Sequence, residues 1–152
     1  MNVGPERIVR IFALGSPHGD DRVAWAVAER LSQDEQVRPL VYTLATPWDL
    51  VERLVPDCSV IVLDACVGTA SPGTVLRFGE RELAASPLAR PSTHGGSLFE
   101  SVELAKSLHK NIREFVVFAV VVVVRRLGMR ISKHGCAAAL VGDVPAERWR
   151  GL

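Results

Sequence analysis

Residues 8–31, IVRIFALGSPHGDDRVAWAVAERL, decide the fold of this chain. Residues 8–14 form a nearly continuous apolar run that ends at Gly15, which indicates a buried strand. Residues 16–21 are a polar loop. Apolar residues then recur at the spacing of one helix face, at Val23, Ala26, Val27 and Leu31. The stretch therefore predicts a strand, a loop and a helix.

The rest of the chain repeats this alternation. Further strands are predicted at residues 37–44, 59–63, 74–78 and 115–124. One helix is predicted from Pro47 to about residue 55, because Thr46 is a suitable cap and Asp49 stands at its third position. A second helix is predicted after Ser97, which forms a capping box with Glu100. Its apolar face carries Leu98, Val102, Ala105 and Leu108.

Residues 115–124 form the longest apolar run, which is too short for a membrane helix. A spanning helix needs about 20 apolar residues, whereas this run of Val and Phe suits a strand that is buried on both faces. Strands that alternate with helices predict an α/β sandwich, in which helices cover both faces of a mostly parallel sheet. A chain of 152 residues, 48% of them hydrophobic, is expected to form one domain, residues 1–152.

Charge and cysteine content exclude several classes of protein. Eighteen Lys and Arg residues against seventeen Asp and Glu leave a formal charge of +1, so no broad field attracts nucleic acid or an anionic membrane. Cys58, Cys66 and Cys136 share no C-x-x-C spacing and lie in apolar surroundings, which favours core residues of a reduced, cytoplasmic protein. The N-terminus carries Glu6 and no small-residue cleavage site, so no signal peptide is expected.

Polar clusters follow two of the predicted strands and precede one helix. They are residues 17–21 (PHGDD), Asp64, and residues 92–95 (STHG). Ligands of open α/β sheets bind at the carboxyl ends of the strands, so the pattern gathers carboxylates and imidazoles at one edge. Carboxylate oxygen and imidazole nitrogen suit Zn, Ni or Mn and leave positions open for substrate or water. The sequence therefore predicts a divalent metal site.

Each candidate also has a structural interpretation. Asp20 and Asp21 precede a helix, whose positive dipole end attracts acids. His94 precedes a helix and is equally placed as a neighbour of its cap, and His18 is either a donor behind the metal ligands or a solvent-facing loop residue. Asp64 is the strongest functional candidate, because a carboxylate after an apolar strand is costly unless it has a partner or a function.

Other catalytic motifs are missing from the sequence. No Lys-Ser/Thr follows Gly15 and Gly19 as a phosphate loop requires, and neither G-x-G-x-x-G nor G-x-S-x-G is present. None of the cysteines has a convincing paired histidine. Nucleotide binding and covalent acyl transfer are therefore not expected.

Four motifs together resemble the hydrogenase maturation proteases, which trim the C-terminus of the nickel-containing hydrogenase large subunit. They are IFALGSPHGDDRVAWAVAERL at residues 11–31, VIVLDAC at 60–66, ASPGTVLRF at 70–78 and STHGGSLFESVELAKSL at 92–108. They match the family's strand with an acidic loop, its Asp-Ala strand end, its Pro-Gly turn and its Ser-x-His before a helix. The resemblance covers roughly residues 8–108, in the family's order.

The resemblance implies a twisted, mostly parallel five-stranded sheet of the phosphorylase/hydrolase-like type. It also implies that Asp21, Asp64 and His94 coordinate a divalent metal, nickel that the substrate supplies. The implied reaction is hydrolysis of one peptide bond near the nickel-binding cysteines of a hydrogenase large-subunit precursor. Asp20 or His18 is the expected proton acceptor.

The sequence also departs from the family. Arg22, Val23 and Ala24 follow the acidic pair where many members have Gly-Val-Gly, and residues 121–136 lack the family's short Glu/Gln-Pro stretch. These departures leave a divalent-metal hydrolase of another substrate open.

Two other families share single features with this chain. A receiver domain of two-component signalling also has an acidic pair and a strand-end Asp, but Asp20 lies five residues beyond Gly15 and no Lys-Pro follows the last strand. A zinc deacetylase shares only the loop at residues 17–21, without the later H-x-x-H pair.

Overall fold

The structure, a computed structural model, describes residues 8–86, 88, 96–108 and 110–122, and of Asp20 only the backbone. In chain order its elements are β1 (Val9–Leu14), a 3-10 turn (Gly19–Asp21), α1 (Arg22–Leu31), a 3-10 turn (Arg38–Leu40), β2 (Val41–Leu44), α2 (Pro47–Arg53), β3 (Cys58–Cys66), β4 (Val75–Gly79), α3 (Glu80–Leu83), α4 (Leu98–Ser107) and β5 (Ile112–Val121).

The strands form one five-stranded sheet in the order β2-β1-β3-β5-β4. Strands β2, β1, β3 and β5 are parallel, and β4 pairs antiparallel with β5. The long apolar strand β5 lies inside the sheet, where it pairs with β3 from Cys58 to Cys66. The predicted α/β class and the mostly parallel sheet are confirmed.

Alternating side chains of the inner strands enter two separate cores. On β5, Phe115, Val117 and Ala119 pack with α2 and α4 on one face, while Val116 and Val120 pack with α1 on the other. Both faces of the strand are therefore covered, as predicted for residues 115–124. The strand begins at Ile112, and residues 123–124 lie outside the described part.

Two further predicted strands have bounds that differ by three or four residues at one end. Predicted strand 37–44 begins at Val41, because Pro39 has a fixed φ and no N–H, and residues Arg38–Leu40 form a 3-10 turn instead. Predicted strand 59–63 extends to Cys66, because β5 continues as its hydrogen-bonding partner. Asp64 is therefore a residue of the strand and does not follow it.

The predicted helix caps are confirmed. The Thr46 side chain accepts from the Asp49 N–H, and the Ser97 side chain accepts from the Glu100 N–H, each with the reciprocal bond of a capping box. The expectation that Leu108 belongs to the buried face of α4 is wrong: the helix ends at Ser107, and Leu108 is 53% exposed.

Two further findings concern cysteines and membrane spans. Cys58 and Cys66 are buried and free, as predicted, and Cys136 lies outside the described residues. No helix among the described residues is long and apolar enough to cross a membrane.

Candidate active site

A cavity of about 840 Å³ opens at the carboxyl ends of the parallel strands. Gly15 and Ala45 line this cavity at the ends of β1 and β2. Asp21 and Asp64 both line it as well. The register explains this meeting, because Leu14 pairs with Leu44 and Ala13 pairs with Leu63, which places Asp64 level with the ends of β1 and β2. This is the edge at which open α/β sheets bind ligands.

Asp21 is held at the cavity by a close backbone contact. A Cβ atom at Gly15 would lie 2.1 Å from the carbonyl oxygen of Asp21, so only glycine permits this approach. The N–H of Ser16 donates to the same carbonyl at 3.4 Å. Asp21 is the N-cap of α1, yet its side chain makes no capping hydrogen bond. The carboxylate therefore does not serve as a cap.

Asp64 belongs to the face of β3 that looks toward α2 and α4. Its neighbours on this face, Val62 and Cys66, are buried in the core, whereas Asp64 is half-buried at the cavity. Its Oδ1 accepts from the N–H of Ala65 at 2.7 Å, which orients the carboxylate. A half-buried acid in an apolar strand fits a ligand-binding role better than a packing role.

The opposite wall of the cavity contains the start of α4. Gly96 and Ser97 line the cavity, and Gly96 follows His94 by two residues in the sequence. A Cβ atom at Gly96 would lie 2.5 Å from Nε1 of Trp48, so the indole of α2 packs directly on this backbone. A larger residue at position 96 would displace either Trp48 or the chain before α4.

The remaining predicted site residues are His94, Asp20 and His18. His94 and the side chain of Asp20 lie outside the described residues. His18 is exposed on the loop, where its backbone contacts the Ser16 hydroxyl, and it is not among the residues that line the cavity. Within the described ranges no group of three His, Cys, Asp or Glu side chains is arranged to hold a metal ion.

Two lining residues were missed by the sequence analysis. The sequence predicts Gly15 only as the end of a strand, although a glycine before an acidic loop signals close backbone packing. It predicts Cys66 only as a core residue, and Cys66 is buried but also lines the cavity. Burial raises the pKa of the Cys66 thiol, and the negative charge of Asp64 raises that pKa further.

The chemistry of this site rests on two carboxylates that share one cavity. Carboxylate oxygens suit hard and borderline divalent ions, and two of them leave coordination positions for further ligands. The described donor set therefore fits part of the predicted metal site. Its third ligand, His94, stays a prediction.

Several solved structures have the same fold. The chain matches the hydrogenase maturating endopeptidase HybD from E. coli with a TM-score of 0.71 and 18% sequence identity, over 96% of this chain and 94% of that chain. The [NiFe] hydrogenase maturation protease HybD from Thermococcus kodakarensis matches with a TM-score of 0.61 and 20% identity, over 88% of this chain and 93% of that one.

A third match is the [NiFe] hydrogenase maturation protease HycI from Thermococcus kodakarensis KOD1, with a TM-score of 0.59, 21% identity and coverage of 89% and 88%. No family model and no curated protein matches the sequence. The resemblance to the maturation proteases is thus confirmed in the fold. The receiver alternative is wrong, because receiver domains have strand order 2-1-3-4-5, whereas here β5 lies between β3 and an antiparallel β4.

Proposed function

We propose that this chain is an endopeptidase that removes the C-terminal extension from the precursor of a nickel-containing hydrogenase large subunit. The observation that carries this proposal is the cavity that Asp21 and Asp64 line together, in a fold shared with known hydrogenase maturation proteases. The activity is hydrolysis of one peptide bond in a protein substrate.

The two carboxylates would bind the nickel ion that the precursor already contains. Asp21, Asp64 and, from the sequence, His94 supply oxygen and nitrogen ligands of the type that borderline ions accept. Nickel is then a part of the substrate, and it provides recognition and charge at the cleavage site. A precursor without nickel would lack the group that these residues bind.

Water is the nucleophile that the described residues favour. The Ser97 hydroxyl accepts the Glu100 N–H, the Ser86 hydroxyl donates to the Leu83 carbonyl, and burial keeps the Cys66 thiol protonated by raising its pKa. None of these groups is prepared for attack. Of the two proton acceptors expected from the sequence, Asp20 adjoins Asp21, whereas His18 is exposed and does not line the cavity. The water oxygen would bond to the carbonyl carbon and give a proton to Asp20, and the C–N bond would then break as the leaving amine takes up that proton.

We place this reaction in the cytoplasm. Cys58 and Cys66 are free and buried, and free thiols persist in a reducing compartment. The partner is the large-subunit precursor, and the near-neutral charge of the chain gives no support for binding nucleic acid or a membrane surface.

The test is cleavage of a nickel-loaded large-subunit precursor by purified variants, followed by mass spectrometry of the released peptide. Asp64→Asn and Asp21→Asn are each expected to reduce cleavage at least about a hundredfold, since each removes a charged metal ligand. Asp57→Asn is the matched control, because Asp57 is exposed before the other end of β3 and asparagine tolerates its φ of 59°.

The proposal predicts normal cleavage by Asp57→Asn and no cleavage of a precursor that lacks nickel. Full activity of Asp64→Asn with a folded circular dichroism spectrum would show that the cavity is not the catalytic site. Failure of the wild-type chain to cut any nickel-loaded precursor from its own organism would overturn the proposed substrate.

A further inference from the structure

Strand β2 lies at the outer edge of the sheet. It pairs with β1 on one side, and no strand among the described residues pairs with its other side. An uncovered strand edge presents backbone N–H and C=O groups that an extended peptide can pair with. The backbone groups that face outward from β2, and the side chains beside them, therefore determine what this edge can bind.

The hydrogen bonds of β2 identify the residue that faces outward. The N–H of Gly15 donates to the carbonyl of Leu44 at 3.1 Å, so the backbone groups of Leu44 point toward β1. Successive residues of a strand point these groups to opposite sides, so Tyr42 also faces β1 and Thr43 faces away. Val41 uses its N–H to close the preceding 3-10 turn through the carbonyl of Arg38. In the described part of the chain, Thr43 thus offers an unpaired N–H and C=O.

A groove of about 510 Å³ lies beside this edge. Val41 and Thr43 line it from β2, and Trp25 and Ala28 line it from α1. Arg22 and Glu29, of opposite charge, also line it. The groove thus combines apolar and polar surface, with one cation and one anion among its lining residues, next to a backbone donor and acceptor.

The edge leads directly to the candidate active site. Ala45 follows β2 and lines the cavity that contains Asp21 and Asp64. Pro17 lines the groove and belongs to the same loop as Asp21. A peptide that pairs with Thr43 and continues past Ala45 would enter the cavity within a few residues, since an extended chain advances about 3.3 Å per residue.

We propose that an extended segment of the precursor, next to its scissile bond, binds as an added strand along the outer edge of β2 and places one side chain in the groove lined by Trp25. This inference rests on the proposed function, because it assigns the binding site for the same substrate. The occupant is a polypeptide in extended conformation, because an added strand supplies both an acceptor and a donor to the Thr43 backbone.

The decisive variant is Thr43→Pro, which removes the outward N–H. Proline is tolerated where the N–H of an edge strand faces solvent, so pairing of β2 with β1 is retained. The variant is expected to lower kcat/KM for nickel-loaded precursor roughly tenfold, the effect of one hydrogen bond, through an increase in KM. Thr43→Val retains the N–H and is expected to lose less than Thr43→Pro.

Glu35→Pro is the matched control for proline itself. Glu35 is exposed and stands second in the turn that the Val37 N–H closes on the Asp34 carbonyl, a position that favours proline. We expect this variant to cleave the precursor as the wild type does. Equal KM values for Thr43→Pro, Thr43→Val and the wild type would overturn the inference and leave the proposed function intact.

A second measurement does not depend on cleavage. Amide hydrogen exchange of the Thr43 N–H, followed by NMR on the full chain, is expected to be fast alone and at least tenfold slower with a synthetic peptide that spans the precursor cleavage site. Slow exchange at Thr43 without the peptide would show that another part of this chain covers the edge, which would overturn the inference. If the peptide protects Thr43 but this chain cleaves no precursor, the binding site is retained and the proposed peptidase activity is overturned.

Discussion

At the amino end of the sheet two arginines pack against one tyrosine, whereas at the carboxyl end two acids line an open cavity. The Cζ of Arg10 lies 5.2 Å from the centre of the Tyr42 ring, and the Cζ of Arg53 lies 5.8 Å from it. Nη1 of Arg10 also donates to the Tyr42 hydroxyl at 2.5 Å. Asp21 and Asp64, by contrast, surround a space that admits a ligand.

The two ends of the same strands therefore have different roles: the amino end contributes to stability and the carboxyl end carries the candidate active site. The amino end holds its two cations against one ring through cation–π contacts and a hydrogen bond, while Nε of Arg10 is buried with no hydrogen-bond partner among the described residues. The carboxyl end leaves a cavity where a substrate completes the interactions. Substitutions at the amino end should therefore change the free energy of unfolding more than cleavage, and substitutions at the carboxyl end should do the reverse.

Phe12→Ala is expected to have the largest effect on stability. Phe12 is fully buried, and its ring centre lies 5.7 Å from that of Tyr42. Truncation leaves a cavity and is expected to lower the free energy of unfolding by about 3–5 kcal/mol, measured by urea denaturation. Ile8→Ala, at a residue that is 42% exposed, should change it by less than about 1 kcal/mol. A similar loss in both variants would contradict the position of the core.

Gly15→Ala tests the carboxyl end through its backbone. The added Cβ would lie 2.1 Å from the Asp21 carbonyl, so the loop must shift, at about 1–3 kcal/mol of unfolding free energy. Because Asp21 moves with the loop, precursor cleavage per folded molecule should fall at least about tenfold. Gly68→Ala is the control for unfolding, since its Cβ would meet nothing within 4 Å. Unchanged cleavage by Gly15→Ala would show that the reaction does not depend on the position of Asp21.

Arg10→Met tests the amino end alone. The variant keeps the aliphatic part of the side chain and loses the cation–π contact and the hydrogen bond to Tyr42. We expect a loss of about 1 kcal/mol in unfolding free energy, because removal of the buried, unpaired Nε offsets part of these lost contacts. Cleavage of the precursor should remain that of the wild type. Arg113→Met, at an exposed residue near the start of β5, should stay within about 0.5 kcal/mol. Reduced cleavage by Arg10→Met would contradict the claim that the amino end of the sheet affects stability and not cleavage.

Local patterns in the sequence were sufficient to predict most elements and the edge that carries the site. The apolar runs of β1, β3 and β5 and the capping boxes at Thr46 and Ser97 depend on neighbours within a few residues, so they are legible in the sequence. The convergence of Asp21 and Asp64 follows from a general property of parallel sheets, in which carboxyl ends share an edge.

Other features depend on contacts between distant segments and were not predictable in this way. The antiparallel direction of β4 and its place outside β5 are set by pairing of the whole sheet. The approach of Gly15 to Asp21 and the packing of Trp48 on Gly96 join separate elements. The extension of β3 beyond Asp64 required a long partner strand, which periodicity within β3 does not reveal.

The smallest expected effect compares the two buried thiols, one at each end of β3. Burial raises the pKa of Cys58 above its ordinary 9.0; backbone hydrogen bonds and the charge of Arg10 oppose this, and the charge of Asp57 adds to it. Burial together with the charge of Asp64 raises the pKa of Cys66. In the unfolded chain both thiols ionise near pH 9, while in the folded chain they stay protonated to higher pH. The folded state then binds more protons, so the free energy of unfolding falls as pH rises through 9.

Between pH 8 and pH 9.5 each thiol should lower the unfolding free energy by at most about 0.8 kcal/mol, the limit for a thiol that stays protonated in the folded state, and Cys58→Ala or Cys66→Ala should remove that share of the pH dependence. Lys106 does not interfere, because its hydrogen bond with Glu80 raises a pKa that is ordinarily 10.5. Since backbone hydrogen bonds and Arg10 oppose burial at Cys58, whereas Asp64 adds to burial at Cys66, Cys66→Ala should remove at least as much as Cys58→Ala. A larger share for Cys58 in urea denaturation at the two pH values would contradict this difference between the surroundings of the two thiols.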